Sequence, residues 1–332
     1  MDFMLDINLK PLPEPITYQD RIMLMGSCFT EHIGNALGEL KFQVLQNPNG
    51  ILFGPDSVCR SLHWYMENRE LKGADLFQLN EVWHSWMHHS RFSNTEAAKA
   101  LEGMNQARQQ AHDFLKTAKW LIITLGSSYS YRLTNAADRA SEALHAGVAN
   151  CHRAPAAWFS KELLEIGDIQ SMLSDTLQRL KTFNPDLSII FTISPVRHIR
   201  DGVVENNRSK ARLIEVVNQL TALNDHTHYF PAYELVIDVL RDYRFYDIDL
   251  VHPNYAATEF VLEKFANTCI DEPGRQLMQE VKKIMIARRH KPFQPDTNAH
   301  RKFLADHAEK VKVMMEKYPF LDLQEEKEYF SR

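Results

Sequence analysis

Three short runs, residues 22–25, 120–125 and 187–193, are apolar at almost every position, and each stops at small residues or proline. A strand with one wet face alternates polar and apolar residues. A strand that is apolar on both faces belongs inside a parallel sheet. Between these runs lie segments with apolar residues at helical spacing, such as Ile33, Leu37 and Leu40 in 30–41. Strands alternating with helices build βαβ units. With 42–45 and 228–231 added as weaker strands, the pattern predicts an α/β fold around a mostly parallel, flavodoxin-like sheet of about five strands.

The remaining segments fit around that frame. Pro11, Pro13 and Pro15 make the first 20 or so residues an extended lead-in. The aromatic stretch 76–92 reads as a β-hairpin or aromatic loop, in which Trp83 and Trp86 line a sugar surface or form a small core. Residues 129–133 extend the preceding strand or begin a hairpin, and 134–155 is irregular. The composition predicts one long helix over 159–183 and another over 209–223, with Ser209 placed to cap the second. Residues 275–317 are charged and helical with no strand signal. The chain therefore divides into a sheet domain, 1–270, and a helical C-terminal extension, 271–332.

Bulk properties remove several classes of function. A net charge of −5 argues against a general nucleic-acid surface. The four cysteines, Cys28, Cys59, Cys151 and Cys269, form no CxxC pair, which predicts free thiols in a reducing compartment. The first residues lack the basic start and apolar core of a signal peptide, and no apolar run is long enough to span a membrane. The expectation is a cytoplasmic protein with neither nucleic acid nor membrane as partner. No phosphate-binding glycine loop is present. His84, His88 and His89 lack a nearby cysteine or carboxylate to complete a metal site. Neither a metal nor another cofactor is expected.

Two places can carry chemistry. Gly26-Ser27-Cys28 follows the first strand, at the carboxyl edge where open α/β sheets hold their sites, and offers two nucleophiles. Asp249 precedes His252 by three residues in a loop. A carboxylate so placed can hold Nδ1–H of the imidazole and leave Nε2 free as a base, while Pro253 keeps the backbone of His252 extended. Arg197 and His198 follow another strand and should reach the same edge, either to bind an anionic or polar substrate group or to form a structural ion pair.

Gly26-Ser27-Cys28-Phe29-Thr30-Glu31 resembles the first block of SGNH (GDSL-type) hydrolases, and Asp249-Leu250-Val251-His252 resembles their last. Gly-Ser-Cys-Phe-Thr looks more specifically like the signature of the GSCFA-domain family. Further blocks match that family: Asn47-Pro48-Asn49-Gly50, Thr124-Leu125-Gly126, Asn150-Cys151-His152, 194–198 and 241–246. The resemblance implies a three-layer α/β/α fold and hydrolysis or acyl transfer on a small-molecule or glycan ester or thioester. Its alignment puts Cys28 at the usual nucleophile and Ser27 at the usual aspartate. A slipped register leaves Ser27 reactive and Cys28 packed. A helix N-terminus at this point would lower the pKa of the Cys28 thiol. The family's oxyanion donors map to the N–H of Cys28 and Gly50. Its usual third donor, an asparagine, is missing from Gly126-Ser127-Ser128, so Ser128 or a backbone N–H there, or Asn150 and His152, are the substitutes. The missing asparagine leaves a second reading open, a catalytically weak module binding a glycan or acyl ligand.

Overall fold

The computed structural model describes residues 5–137 and 147–331. In chain order the elements are β1 (Arg21–Gly26), α1 (Cys28–Glu39), β2 (Gln43–Gln46), α2 (Pro55–Met66), β3 (Phe77–Leu79), β4 (Val82–His84), α3 (Ala97–Leu115), β5 (Trp120–Leu125), β6 (Tyr129–Leu133), β7 (Phe159–Leu163) and α4 (Ile166–Phe183). They continue with β8 (Ser188–Ile193), α5 (Val203–Leu223), β9 (Thr227–Tyr229), α6 (Ala232–Glu234, running on as a π-helix over Leu235–Leu240), α7 (Tyr255–Cys269), α8 (Glu272–Arg289), α9 (Asn298–Lys317) and α10 (Gln324–Phe330). The central sheet has the order β2-β1-β5-β8-β9, and every neighbouring pair is parallel. Counting only those five strands gives 2-1-3-4-5, the doubly wound order whose switch point lies between the first and third strands.

The apolar runs are explained by the two faces of this sheet. Ile22 and Leu24 of β1, Trp120 and Ile122 of β5, and Ile190 of β8 pack on one side against α1, α7 and α8. Their neighbours Met23, Met25, Leu121, Ile123, Leu125, Ile189 and Phe191 pack on the other side against α2, α3, α4 and α5. Side chains alternate faces along a strand, so burial on both faces requires apolar residues at consecutive positions. The result is a three-layer α/β/α arrangement. The C-terminal helices extend the first layer: Val281, Ile284, Val311 and Phe330 belong to the same core as Phe29 and Leu37 of α1.

The aromatic stretch contains the hairpin β3–β4, closed by Asn80 and Glu81 with φ of 50° and 66°, as a two-residue turn between twisted strands requires. Two expectations are corrected. The segment read as the start of one long helix is the strand β7, which pairs antiparallel with β6. Phe159-Ser160-Lys161-Glu162-Leu163 is short enough for a partner strand to outweigh its helical composition. Helix α5 begins at Val203, behind Gly202 with φ of 101°, so Ser209 lies inside the helix and caps nothing. Part of the irregular segment 134–155 lies outside the described residues. Among the described residues, no helix is long and apolar enough to cross a membrane.

Candidate active site

The turn after β1 is built from tight contacts. Gly26 has φ of 141°, and a Cβ there would sit 2.2 Å from Thr124 O of the adjacent β5. Only glycine allows the strands to come this close. Its N–H donates to Asn47 Oδ1 (2.9 Å), and the N–H of Ser27 donates to Thr124 O (3.2 Å). Ser27 is the N-cap of α1: its hydroxyl is buried and accepts from the N–H of Phe29 (3.3 Å). Cys28 is the first residue of the helix and is half-buried. The hydroxyl is thus engaged as a cap, while the thiol stands beside the N–H groups that open the helix.

Those N–H groups do not control the thiol. Burial is the largest influence on the Cys28 thiol and pushes its pKa up; the N–H groups of Phe29 and Cys28 pull it down, Glu31 adds to the rise and Lys210 opposes it, and the net shift is upward. The expected lowering by the helix N-terminus is therefore present but outweighed. A thiol in this state needs a proton acceptor to react.

Asp249 and His252 form the pair expected of them. His252 Nδ1 lies 2.6 Å from Asp249 Oδ2, while Asp249 Oδ1 accepts from the N–H groups of Val251 (2.9 Å) and His252 (3.0 Å). The backbone and ring N–H groups of His252, followed by the N–H of Val251, hold the Asp249 carboxyl down at about 2. Among the described residues nothing is hydrogen-bonded to His252 Nε2. The loop is tied to the end of β8 by Arg197, whose N–H donates to Val251 O (3.2 Å). The guanidinium of Arg197 lies over Tyr246 (4.4 Å) and Tyr243 (5.3 Å), so it braces this loop.

His198 is placed differently. Its N–H donates to Asn206 Oδ1 (2.8 Å), its ring packs on Phe53 (5.2 Å between centroids), and its Nε2 is buried with no partner. A Cβ on Gly126 would lie 3.2 Å from that nitrogen, which fixes the ring above the end of β5. Burial, then the charges of Lys210 and His252, push the imidazole down to about 4, so it is neutral near pH 7.

The candidate donors at Gly50, Gly126 and Ser128 are engaged. The N–H of Gly50 donates to Asn47 O (2.7 Å) and that of Gly126 to Phe53 O (2.8 Å). The N–H of Ser128 donates to Ser209 Oγ (2.8 Å), and its own hydroxyl donates to Ser209 O (3.1 Å). Asn150 and His152 lie against the aromatic hairpin: Asn150 N–H donates to Trp86 O, and His152 Nε2 is 2.8 Å from Ser85 O. Asn150 Nδ2 and His152 Nδ1 are buried without partners, and burial pushes His152 down to about 4. The segment after that hairpin meets the 47–50 turn, where His89 N–H donates to Asn49 O (2.8 Å). Among the described residues, no three His, Cys, Asp or Glu side chains converge on a metal position.

One residue at the strand ends reads from the sequence only as lying near a helix start, with no role in the site. Lys210 of α5 is fully buried and donates to Gly126 O (2.5 Å) and Ser194 O (2.7 Å), at the ends of β5 and β8. The signal was present. The buried stripe Leu213, Val216, Val217 and Leu220, carried back at helical spacing, lands on Lys210, Ser209 and Asn206, which are also buried. Polar residues on a core stripe mark a place where the core has polar work.

Fold and site together define a doubly wound parallel α/β protein with a thiol at the sheet's carboxyl edge and an Asp-His pair on a loop tied to that edge. The chain belongs to the GSCFA family: that family's model matches residues 21–265, and the GSCFA domain protein C-terminal domain matches 281–332. No curated protein matches the chain. Among solved structures it is similar to the crystal structure of a carbohydrate esterase family 3 from Talaromyces cellulolyticus, at 11% identity, over 80% of this chain and 99% of that one, with a TM-score of 0.36.

Proposed function

We propose that this protein is an SGNH-like hydrolase or acyltransferase in which Cys28 attacks an ester or thioester carbonyl and His252, oriented by Asp249, moves the proton. The observation that carries the reading is the 2.6 Å Asp249–His252 hydrogen bond, with Nε2 unengaged on a loop tied to the strand edge. Cys28 is favoured over Ser27 because the Ser27 hydroxyl is buried and engaged in capping α1. The thiol loses its proton to His252 Nε2, and sulfur bonds to the carbonyl carbon. The tetrahedral adduct then collapses, and the leaving alcohol or thiol takes the proton from His252. Water or an acceptor hydroxyl next attacks the thioester and releases Cys28. No hydrogen bond joins Cys28 to His252 in this structure; such bonds often form only when substrate is seated. The N–H of Cys28 and Nε2 of His198 are the donors for the oxyanion. Four free cysteines support a reducing, cytoplasmic setting.

A second reading has its own support. The N–H groups of Gly50, Gly126 and Ser128 are hydrogen-bonded within the protein. A site short of oxyanion donors suits a module that binds a glycan or acylated ligand beside the 76–92 aromatics. Turnover of p-nitrophenyl acetate and an acyl thioester separates the two. The enzyme reading expects loss of at least about 100-fold in Cys28→Ala and His252→Ala and retention in Ser27→Ala. Activity lost in Ser27→Ala and kept in Cys28→Ala would reassign the nucleophile. No turnover and no covalent labelling of wild type would leave the binding module.

A further inference from the structure

Exposed apolar side chains that stand singly need no explanation, and Leu223, Ile286 and Phe293 are of that kind. Around the Asp249–His252 loop they gather. Ile248 is fully exposed, Leu250 is 51% exposed, and Tyr243 stands out on the same loop. Ile199, with Val203 and Val204 at the start of α5, is also exposed and follows His198. The N–H of Arg197 donates to Val251 O (3.2 Å), so the two segments meet at the site described above. The loop is built to hold its apolar side chains out. The N–H of Asp247 donates to His252 O (2.8 Å) and that of Leu250 to Asp247 O (2.9 Å), which closes a turn with Ile248 in it. Leu250 has φ of 58°, a left-handed conformation that disfavours any residue with a Cβ. Half of its side chain is nevertheless in water, so packing within the chain does not offset the strain. Ile248 and Leu250 flank Asp249, so whatever covers them lies against the Asp-His pair. Charge narrows the occupant. Residues 197–205 and 241–255 contain four arginines and five carboxylates, so this surface has no excess of positive charge to attract an anionic membrane. Its aliphatic side chains make no hydrogen bonds to sugar hydroxyls and suit an uncharged alkyl chain.

We propose that this surface holds an alkyl chain on the leaving-group side of the scissile bond, so that the substrate is the ester or thioester of an apolar alcohol or thiol. This rests on the reading above, in which His252 Nε2 gives its proton to the leaving atom. When the bond from the carbonyl carbon to the leaving oxygen or sulfur breaks, the acyl group stays on Cys28 and the leaving atom takes that proton. The leaving atom therefore lies within hydrogen-bond reach of His252. The group attached to it runs out over the loop that carries Ile248 and Leu250, toward Ile199 and the first turn of α5. In acyl transfer the acceptor hydroxyl enters by the same path, and the same side chains select an apolar acceptor.

The test is acetate release from ethyl acetate, hexyl acetate and xylose tetraacetate by the full chain, so that the acetyl group is constant and the alcohol varies. Since each methylene moved out of water strengthens binding by about two- to fourfold, kcat/KM for hexyl acetate should exceed that for ethyl acetate by about 10-fold or more. The ratio should fall at least about threefold in Ile248→Ser and in Val204→Ser. It should not change in Leu223→Ser, at the far end of α5. All three positions are exposed, so the substitutions leave the fold intact. Equal efficiency on the two alkyl esters, a ratio unaltered in both variants, or a preference for the sugar acetate overturns the proposal. A preference for ethyl hexanoate over ethyl acetate that Ile248→Ser abolishes puts the chain on the acyl side and overturns it equally. So does wild type that pellets with phosphatidylcholine vesicles, or dimerises in sedimentation, and loses this property in Ile248→Ser. Where no ester is turned over, alkylation of Cys28 by iodoacetamide and by N-hexyl iodoacetamide decides, read by peptide mass spectrometry with half-buried Cys151 as internal control. In both reactions sulfur bonds to the methylene carbon and iodide leaves. The hexyl reagent should gain at least about threefold at Cys28 relative to Cys151, and Ile248→Ser should remove the gain; no gain overturns the proposal. A gain without turnover sinks only the enzyme reading. Cys28-dependent turnover without chain preference sinks only the alkyl site.

Discussion

At the residue scale, charge and burial oppose each other around the β1 turn. The site contains a half-buried thiol, a buried lysine amine and a neutral imidazole, and burial is the largest influence on each. The ammonium has a consequence for stability. Burial lowers Lys210 from 10.5 to about 7 in the folded protein. Between those values the unfolded chain binds a proton that the native one does not, so stability rises with pH through that window, and below about pH 7 the full penalty applies. Wild type should therefore gain stability relative to Lys210→Met between pH 7 and about 10, on the order of a few kcal/mol. Urea unfolding of both proteins at several pH values reads this directly. Parallel pH dependence in the two proteins would mean that Lys210 titrates normally.

At the element scale, α1 shows what the sequence could and could not tell. The helix was legible from Ile33, Leu37 and Leu40, which occupy one face. The cap was less so, because Ser and Cys stand side by side and either can precede a helix; the structure resolves this by burying Ser27 and engaging its hydroxyl with Phe29 N–H. Ser27→Ala should cost about 1 kcal/mol, lowering Tm by about 2 °C, and should leave Cys28 alkylation within about twofold of wild type. A larger loss of alkylation would give Ser27 a role beyond capping. Strand β7 and the first two turns of α5 were misread for related reasons. Pairing with β6 made a strand of a segment with helical composition, and the buried polar residues at the start of α5 interrupted the apolar stripe that would have announced it.

At the scale of the whole molecule, the C-terminal helices are held to the sheet layers by more than apolar packing. The side chain of Glu326 on α10 is fully buried and meets Lys41 (2.9 Å), just beyond α1, and Arg288 (2.5 Å) on α8. One carboxylate thus fastens three helices at the end of α1 opposite Cys28. Glu326→Gln preserves the volume and removes the charge, and should cost about 1–3 kcal/mol. Hydrogen exchange should quicken in residues 324–331 while Cys28 alkylation stays unchanged. Unaltered exchange would show that packing alone docks α10.

The sequence by itself determined the parallel sheet, because burial on two faces requires apolar residues at consecutive positions. It also determined the glycine elbow and the Asp249–His252 pair, because each is a local pattern set by backbone sterics and short spacing. Only the tertiary structure decided what surrounds Cys28. Lys210 lies 182 positions away in the sequence, and the engaged N–H groups of Gly50, Gly126 and Ser128 depend on partners brought together by folding. Whether a charge is buried and what opposes that burial depend on neighbours in space, and spacing along the chain does not encode them.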